Sequence, residues 1–359
     1  IRVDVGDPSS EGLEPVAVDD LGLVTTGGSV LVDPLENDVD PTGGVLVVNS
    51  VQGTEGTGLK ATVIGHHLVR IEAEPGAQVS EEPVPLTYEV ANEAGSTTGR
   101  IRVMVAATDT QFANPVPAPD DAVVRAGDMV MVDVLANDLS PTHSPLRVSR
   151  LLDTSGADAL GHAEVHRDQI RFTATPGAAG EATLTYEVID ETGRTASARA
   201  TITVTAEDAP NTPPRPENLE ARTVSGQSVR IPLTTTGVDA DGDSVMLMGI
   251  TSPAPTLGEV TSTSGGWIEY IPHEGAVGTD RFRYQVMDRY GAVGTAEVLV
   301  GIARPSSLNQ PPFAIDDTVD VRPDRVVQVP VLDNDTDPEG SDLAIVHDQG
   351  EPTTDIEVL

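Results

Sequence analysis

The feature that most constrains this sequence is an internal repeat with a period of 98 residues. Tyr88, Tyr186 and Tyr284 each begin a Tyr-x-Val tripeptide, and they follow one another at this spacing. A fixed period of this length indicates that one folded unit is used several times, and it matches the size of one small β-sandwich domain. The 359 residues therefore hold about three and a half such units.

Paired polar residues keep the same register as the tyrosines. Asp-Asp pairs open the first, second and fourth units, and an Asn-Asp pair follows each of them after about 17 or 18 residues. The Asp-Asp pairs are Asp19-Asp20, Asp120-Asp121 and Asp316-Asp317, and the Asn-Asp pairs are Asn37-Asp38, Asn137-Asp138 and Asn334-Asp335. The third unit replaces these pairs with Glu217-Asn218 and with the acidic run at 239–243, so the units are related but not identical.

The pattern within each unit is that of β-strands. Glycine and proline, 34 and 28 residues in all, interrupt the chain every few positions, and the apolar stretches between them are short and rich in valine. Between Gln169 and Thr173, Ile170 and Phe172 alternate with polar residues, which is typical of a half-buried strand. Each tyrosine strand leads into a turn with Gly95, Gly193 or Gly291 and then into a last strand, which predicts a hairpin.

The period divides the chain into five segments. Residues 1–14 are expected to be the last strand of a preceding repeat plus a linker, because 1–5 resemble 101–105. Complete repeats are expected at 15–114, 115–212 and 213–309, and a partial fourth repeat at 310–359. The linkers Asn211-Thr212-Pro213-Pro214 and Asn309-Gln310-Pro311-Pro312 contain prolines that favour extended connections. An all-β chain of tandem sandwiches in an extended rod is therefore predicted.

The motifs resemble those of bacterial cadherin-like and immunoglobulin-like tandem repeats of large surface proteins. The residues that carry this resemblance are Asp316-Asp317, Val331-Leu332, Asn334-Asp335, Asp337-Pro338, Gly340 and Leu343 in repeat four, and Tyr186, Val188, Asp190 and Gly193 in repeat two. The resemblance implies secreted or surface-anchored proteins in which repeats act as spacers or adhesive units and sometimes bind Ca²⁺ near their junctions. Repeat two departs from the pattern at Leu139-Ser140-Pro141.

Composition excludes several classes of function. Acidic residues outnumber basic ones 57 to 21, which gives a net charge of -36 that repels nucleic acids and anionic membranes. The absence of cysteine excludes disulfides and thiolate chemistry. No stretch is apolar for long enough to span a membrane, and no nucleophile elbow, phosphate-binding loop or zinc-binding helix motif is present. The chain is not expected to be an enzyme.

The acidic residues are candidate ligands for Ca²⁺, which binds several oxygens converging from loops. The candidates are Asp19, Asp20, Asp38 and Asp40 in repeat one, Asp239, Asp241 and Asp243 in repeat three, and Asp316, Asp317, Asp335 and Asp337 in repeat four. The alternative is that these Asn-Asp and Asp-Pro sequences simply form turns, since short polar side chains bond to their own backbone. Asn37, Asn137 and Asn334 are expected to be structural.

The aromatic and histidine residues have separate interpretations. Tyr88, Tyr186 and Tyr284 are expected to be buried, with their hydroxyl groups bonded to backbone as in a tyrosine corner. Trp267 lies out of phase with the core positions of its strand, so an exposed ring that stacks on a sugar or a protein partner is one hypothesis, and an isolated exposed residue without function is the other. The adjacent histidines 66 and 67 are expected at a solvated strand end.

These observations predict a non-catalytic extracellular stalk or adhesion module of a bacterial surface protein, stiffened by Ca²⁺ at acidic loops near repeat junctions. Its partners are then the neighbouring repeats, with a host, cell-wall or glycan ligand as a further possibility, and neither nucleic acid nor a membrane. One alternative is a ligand-binding module in which repeat three recognises a glycan or a protein. Another is an accessory region of a secreted polysaccharide-active enzyme.

Overall fold

The computed structural model describes most of the chain. The described residues are 13–79, 82–107, 114–141, 145–235, 237–263, 266–306, 310, 312–314, 327–329, 331–332, 335, 337–338 and 343–345. All regular secondary structure within these ranges is β-strand. Most of the expected remnant at 1–14 and most of the partial repeat at 310–359 lie outside the described residues.

Twenty-one strands lie within the described residues and form three groups of seven, one group for each complete repeat. Repeat one contains β1 (Asp20–Thr25), β2 (Ser29–Val32), β3 (Val47–Gln52), β4 (Leu59–Ile64), β5 (Leu68–Ala73), β6 (Val84–Ala91) and β7 (Ser96–Ala106). Repeat two contains β8 (Asp120–Arg125), β9 (Met129–Val132), β10 (Leu146–Asp153), β11 (Gly161–His166), β12 (Gln169–Ala174), β13 (Gly180–Asp190) and β14 (Thr195–Thr205). Repeat three contains β15 (Leu219–Val224), β16 (Val229–Pro232), β17 (Val245–Thr251), β18 (Gly258–Ser262), β19 (Trp267–Pro272), β20 (Gly278–Asp288) and β21 (Val293–Ala303).

Each repeat is a sandwich of a four-stranded and a three-stranded sheet. In repeat one the strand orders are β1-β7-β6-β3 and β2-β5-β4, and the other two repeats have the same topology. The first strand pairs parallel with the last, as Asp20 with Ile101 in repeat one, while the remaining pairs are antiparallel. The predicted all-β fold of tandem immunoglobulin-like sandwiches is therefore confirmed.

The alternating sequence pattern places the cores between the sheets. In β12, Ile170 and Phe172 are completely buried, while Arg171 between them is only partly buried. Each repeat has its own apolar cluster, with buried tyrosines Tyr88, Tyr186 and Tyr284 at equivalent places. Separate cores mean that each sandwich contains its own main source of stability.

The tyrosine hydroxyl groups join the last part of each repeat to its beginning. Tyr284 donates to the carbonyl oxygen of Glu217 at 2.6 Å, and the hydroxyl groups of Tyr88 and Tyr186 lie 3.2 Å from the carbonyl oxygens of Val18 and Ala118. The structural role predicted for these residues is confirmed. The partner is the entry segment of the same repeat, about 70 residues upstream, and not the nearby backbone that a tyrosine corner uses.

Two ends of each sandwich can be defined. We call "top" the end with the long loop after the second strand and the turn before the last strand, and "base" the end where the parallel first and last strands finish. At the top of repeat two, the carboxylate of Asp190 accepts from the N–H groups of Thr192 and Arg194, and this closes the hairpin turn. Gly193 in this turn has a φ of 81°, a conformation that glycine adopts without strain.

The arrangement of the repeats differs from the predicted extended rod. The base of repeat two packs on the top of repeat three, and the base of repeat three packs on the top of repeat one. Val224 and Ala303 of repeat three share one buried cluster with Val47 and Ala91 of repeat one. The side chains at the base of repeat three are small and apolar, so repeat one can approach closely. The rod was predicted from the composition of the linkers, which carries no information about the shape of this surface.

Candidate functional site at the junction of repeats two and three

The acidic run of repeat three forms one compact cluster. Asp239, Asp241 and Asp243 lie in the top loop between β16 and β17, and each offers a carboxylate oxygen within 4.8 Å of the others. Among the described residues, no other three acidic or histidine side chains converge in this way. Asp239 and Asp243 are 2% and 1% exposed, so the cluster is an internal part of the junction and not a solvated loop.

The local sequence explains why the loop folds back on itself. The carboxylate of Asp239 accepts from the N–H of Asp241 at 2.8 Å, and the N–H of Gly242 donates to the carbonyl oxygen of Asp239 at 3.1 Å. Gly242 has a φ of 82°, which other residues rarely adopt. This tight turn brings the three carboxylates together, and Asp243 reaches the base of repeat two.

Arg125, the last residue of β8 in repeat two, enters the acidic cluster. Its side chain is completely buried, and its Nε lies 2.9 Å from both carboxylate oxygens of Asp243. Its other donors reach the 205–210 linker, where they contact the carbonyl oxygens of Ala206, Ala209 and Pro210. A buried guanidinium with this many partners is a fixed structural cation.

Two neighbouring residues of repeat three complete the surroundings of Arg125. The guanidinium groups of Arg125 and Arg289 lie 5.2 Å and 5.1 Å from the centroid of the Tyr290 ring. Arg289 also places its Nε 3.2 Å from a carboxylate oxygen of Asp243. Two arginines and one aromatic ring therefore surround the most buried carboxylate of the cluster.

Backbone contacts bring the two repeats into direct register. The N–H of Arg125 donates to the carbonyl oxygen of Gly242 at 2.9 Å. A Cβ atom at position 242 would lie 2.4 Å from the Cα of Val124, so only glycine permits this approach. Beside it, Ser244 donates from both its N–H and its hydroxyl group to Asp128 of repeat two at 2.9 Å. The junction is therefore interlocked through main chain as well as side chains.

The electrostatics of the cluster are only partly balanced by the arginines. Burial raises the pKa of Asp243 above its ordinary value, although Arg125 acts in the opposite direction. Burial also raises the pKa of Asp239, where the neighbouring carboxylates add to the effect. The Oδ2 atom of Asp239 is buried without a hydrogen-bond partner. An oxygen in this state fits a cation ligand.

The four acidic residues predicted as one set in repeat one do not converge on a single point, and only two of them form a pair. Asp20 is buried beside Asp38, and the hydroxyl of Tyr88 donates to Asp38 at 2.8 Å. Asp19 is exposed and pairs with Arg102. Asp40 accepts from Asn92 at 2.8 Å and from its own loop. Asp20 and Asp38 are therefore the pair that can act together.

Repeat two contains the same buried pair, which the sequence analysis did not select as a site. Tyr186 donates to Asp120 at 2.7 Å, and Asp138 lies close enough to raise the pKa of Asp120 further after burial, the main cause. Strand pairing shows that Asp20 is equivalent to Asp120, which places the Asp-Asp pairs of the two repeats one position out of register. The recurring Asn-Asp motif was the available signal.

Two of the four ligands predicted in repeat four lie within the described residues. Asp316 and Asp317 lie outside the described residues. Asp335 and Asp337 are described, and the carbonyl oxygen of Asp337 accepts from Gln227 of repeat three at 3.1 Å. Their role as metal ligands stays a prediction.

Trp267 is 39% exposed, as the strand pattern predicts. It is the first residue of β19, and the guanidinium of Arg230 lies 5.6 Å from its ring centroid. The ring therefore already stacks on a cation on one side, and a ligand would have to use the opposite side or displace Arg230. Ligand stacking by Trp267 stays a prediction.

The expectation of a solvated strand end at the two histidines is wrong for His66. His66 is 6% exposed, and its ring nitrogen Nδ1 lies 3.0 Å from the carbonyl oxygen of Val48. Burial lowers the pKa of His66. The residue adopts a φ of 55° in the turn between β4 and β5, which directs the ring inward, and the strand alternation assumed from the sequence does not apply in a turn.

Arg125 is the functional residue that the sequence analysis missed. The equivalent positions are Thr25 in repeat one and Val224 in repeat three, as the matching hydrogen bonds at the three bases show. A lone arginine at the end of a valine-rich strand was the only signal, and it became meaningful only when the acidic loop of the next repeat was placed against it.

An acidic, all-β chain of three interlocked sandwiches defines a tandem immunoglobulin-like protein. The chain belongs to the bacterial Ig domain family, whose model matches residues 13–104, 113–204 and 211–301. The predicted resemblance to bacterial tandem repeats is thereby confirmed. Domains of this family are generally non-catalytic and typically extracellular. No curated protein sequence matches the chain.

Several solved structures are similar to the chain at low identity. An endo-fucoidan hydrolase from glycoside hydrolase family 107 is 16% identical, with a TM-score of 0.25 over 82% of this chain, which spans only 45% of that enzyme. The N-terminal four Ig domains of Dscam1 are 10% identical, with a TM-score of 0.35 over 80% of this chain and 77% of that one. Drosophila N-cadherin EC1-3 is 13% identical, with a TM-score of 0.25, covering 80% and 98%. These similarities concern the fold alone.

Within the described residues, no helix has the length and apolar character needed to cross a bilayer.

Proposed function

We propose that this chain is a non-catalytic stalk or adhesion module of an extracellular bacterial protein, in which neighbouring sandwiches are coupled into stiff units. The observation that carries this proposal is the interlocked junction of repeats two and three, where Arg125 is buried in the acidic cluster of the next repeat. A spacer transmits position and force only if its units do not rotate freely. A buried ion pair with backbone hydrogen bonds beside it restricts such rotation.

Nuclear magnetic relaxation of the backbone amides tests this coupling directly. If the junction is stiff, repeats two and three share one rotational correlation time in the full chain. Independent correlation times for the two repeats would show a flexible joint and would contradict the stalk proposal. Mild proteolysis of the linker at 206–216 gives a second measurement, since a coupled junction protects it.

Calcium is the second part of the proposal. The support for it is the convergence of Asp239, Asp241 and Asp243 and the unpartnered buried oxygen of Asp239. Ca²⁺ accepts six to eight oxygen ligands and would relieve the charge that Arg125 and Arg289 leave unbalanced. The buried pair Asp20 and Asp38 is a second place where two carboxylates lack a full countercharge.

Calorimetric unfolding in EDTA and then in millimolar Ca²⁺ tests the metal. At a hundredfold excess over Kd, specific binding stabilises the folded state by about 2.7 kcal/mol and raises Tm by several degrees, whereas Mg²⁺ has a smaller effect. Asp239→Asn is expected to remove this rise, and Asp208→Asn, on the exposed linker, to retain it. An unchanged Tm in Ca²⁺ would refute metal binding and leave the arginines as the only cations of the junction.

Ligand recognition by repeat three is the alternative, and the exposed ring of Trp267 favours it. A sugar or peptide that stacks on this ring changes its fluorescence. Titration of soluble cell-wall oligosaccharides while the emission of the chain's single tryptophan is recorded tests this alternative, and no spectral change up to millimolar concentrations would count against it.

A further inference from the structure

Repeats one and three meet at an interface that the order of the repeats does not require. We call it the closing interface: the base of repeat three, with Val224, Thr279, Gly301 and Ala303, against the top of repeat one, with 43–47 and Ala91. Residues that hydrogen-bond across the two surfaces are 176 to 238 positions apart in the chain, so the contact depends on the path of all three repeats and not on a local linker.

The centre of the closing interface is apolar and buried. Val47, Ala91, Val224 and Ala303 form one cluster, and their exposed fractions are 1%, 5%, 2% and 0%. Val47 projects from the outer face of β3, away from the core of its own repeat. Strand pairing places Arg147 and Met246 at the equivalent positions of repeats two and three, and both are exposed, Met246 by 59%. The apolar surface at this position is therefore covered only in repeat one.

Hydrogen bonds surround this cluster and satisfy the backbone of the top loop. Arg222 donates from Nε to the carbonyl oxygen of Leu46 at 2.9 Å, and Arg281 donates to that of Gly43 at 3.0 Å. The N–H of Val45 donates to the hydroxyl oxygen of Thr279 at 2.8 Å. An apolar centre with polar contacts around it is the usual anatomy of a specific interface.

The fit depends on a glycine that the fold itself does not need. A Cβ atom at Gly301 would lie 2.8 Å from the carbonyl oxygen of Val45 and 3.1 Å from its Cβ. The equivalent positions in β7 and β14 are Met104 and Thr203, so the strand position itself accepts larger side chains. Gly301 is therefore explained by the closing interface.

The chain beyond repeat three continues along repeat one. Gln310 is 4% exposed, and its side-chain oxygen accepts from the N–H of Val51 at 3.1 Å. The guanidinium of Arg70 lies 5.8 Å from the ring centroid of Phe313. The segment that follows repeat three therefore also contacts repeat one.

We propose that the top of repeat one is a docking surface whose resident partner is the base of repeat three of the same chain. The three repeats then form a closed unit that opens by releasing this interface while every sandwich stays folded. Four buried apolar residues hold the interface, against the nineteen buried residues in the core of repeat one, so the interface separates before a sandwich unfolds. This inference rests on the proposed stalk function and adds that the stalk has a short and a long form.

Small-angle scattering of the full chain tests the closed form. Three sandwiches with strands of 11 residues, placed end to end, are about 110 Å long. The native chain is expected to have a much shorter maximum dimension, and Gly301→Met to lengthen it toward this value with an unchanged circular dichroism spectrum. Thr203→Met, at the equivalent exposed position of repeat two, is the matched control and should not lengthen the particle. A native chain as long as Gly301→Met would overturn the proposal.

A disulfide trap identifies the partner. The chain has no cysteine, and a Cβ at Gly44 would lie 2.5 Å from the hydroxyl oxygen of Thr279, so the double variant Gly44→Cys, Thr279→Cys can form one bond. Oxidation is expected to give a cross-linked monomer at low protein concentration. Cross-linked dimers, or no bond at all, would show that repeat three of the same chain is not the partner. Joint tumbling of repeats two and three tests the stalk function separately.

Discussion

Asp20 was predicted to be a metal ligand because of its charge, and its burial in the fold changes its pKa. One oxygen accepts from Asn37, the other is buried without a hydrogen-bond partner, and Asp38 lies nearby. Burial, followed by the charge of Asp38, raises the pKa of Asp20 to about 6. Because the folded-state pKa is above the unfolded value of about 3.9, the ionised form destabilises the fold above pH 6.

We therefore expect Asp20→Asn to raise the stability of repeat one at pH 7.5 in EDTA, by on the order of 1–3 kcal/mol. In the native chain the free energy of unfolding should rise as pH falls from 7 toward 4, because Asp20 then binds a proton in the folded state that it does not bind in the unfolded state. The variant should lack that gain. Thermal unfolding of both proteins across this range measures the difference.

Other groups also titrate in this pH range, and comparing the native chain with the variant removes their contribution. Buried His66, whose pKa is lowered, stabilises the fold above pH 6.5 and loses that contribution as pH falls, in the native chain and the variant alike. Asp19→Asn is the control, since its exposed pair with Arg102 is worth little. Lower stability of Asp20→Asn at pH 7.5 would mean that the ionised carboxylate has a partner in solution.

At the scale of elements, strands and loops differ in how far they can be predicted. Strands such as β12 follow from alternation and turn residues, because their burial depends on neighbours within the same repeat. The acidic loop of repeat three has an equally clear sequence, but its environment comes from the end of β8 in another repeat. Asp243 is consequently paired with Arg125, where the sequence predicted only a metal ligand.

Arg125→Ala is expected to weaken the junction between the end of β8 and this loop. Removal of one member of a buried ion pair typically costs about 3–5 kcal/mol, because the other charge stays buried, here the carboxylate of Asp243 with Arg289 alone. Calorimetry should show a lower Tm for repeats two and three, and relaxation should show their motions becoming independent.

Two further variants make this prediction specific. Arg230→Ala, whose side chain is 62% exposed, should change Tm little. The double variant Arg125→Ala, Asp243→Ala should recover part of the loss, since it removes both charges. If Arg125→Ala and Arg230→Ala had equal effects, the buried ion pair would not hold the junction.

At the scale of the whole molecule, the three repeats form a chain of contacts between bases and tops. The base of repeat two meets the top of repeat three through charge, and the base of repeat three meets the top of repeat one through apolar surface. Among the described residues, repeats one and two share fewer hydrogen bonds than the other pairs, and there Ser29 donates to Glu191 at 3.1 Å. The same two surfaces of one fold thus form junctions of different chemistry.

This variation explains why length and stiffness are separate properties of the module. The charged junction fixes the angle between repeats two and three, and the closing interface decides whether the unit is short or long. The calcium binding proposed above would act on the first property, and Gly301→Met acts on the second. The scattering and relaxation measurements therefore report on different contacts and can succeed or fail independently.

The properties that repeat along the chain could be predicted from the residues alone. The 98-residue period, the alternation of Ile170 and Phe172 and the Tyr-x-Val strands specify seven-stranded sandwiches, because those interactions close within one repeat. The family, the buried tyrosines and the exposure of Trp267 follow from the same local pattern. Periodicity could not show which surfaces of different repeats touch.

The partners of individual side chains in other repeats depend on the tertiary structure. Arg125 reaches Asp243 from 118 positions away, and Val47 is covered by residues of repeat three, so neither contact has a signal in the local sequence. The proline-bearing linkers limit the path of the chain but do not fix its angles. Those angles depend on the shape and charge of two surfaces at once, and these surfaces exist only after each repeat has folded.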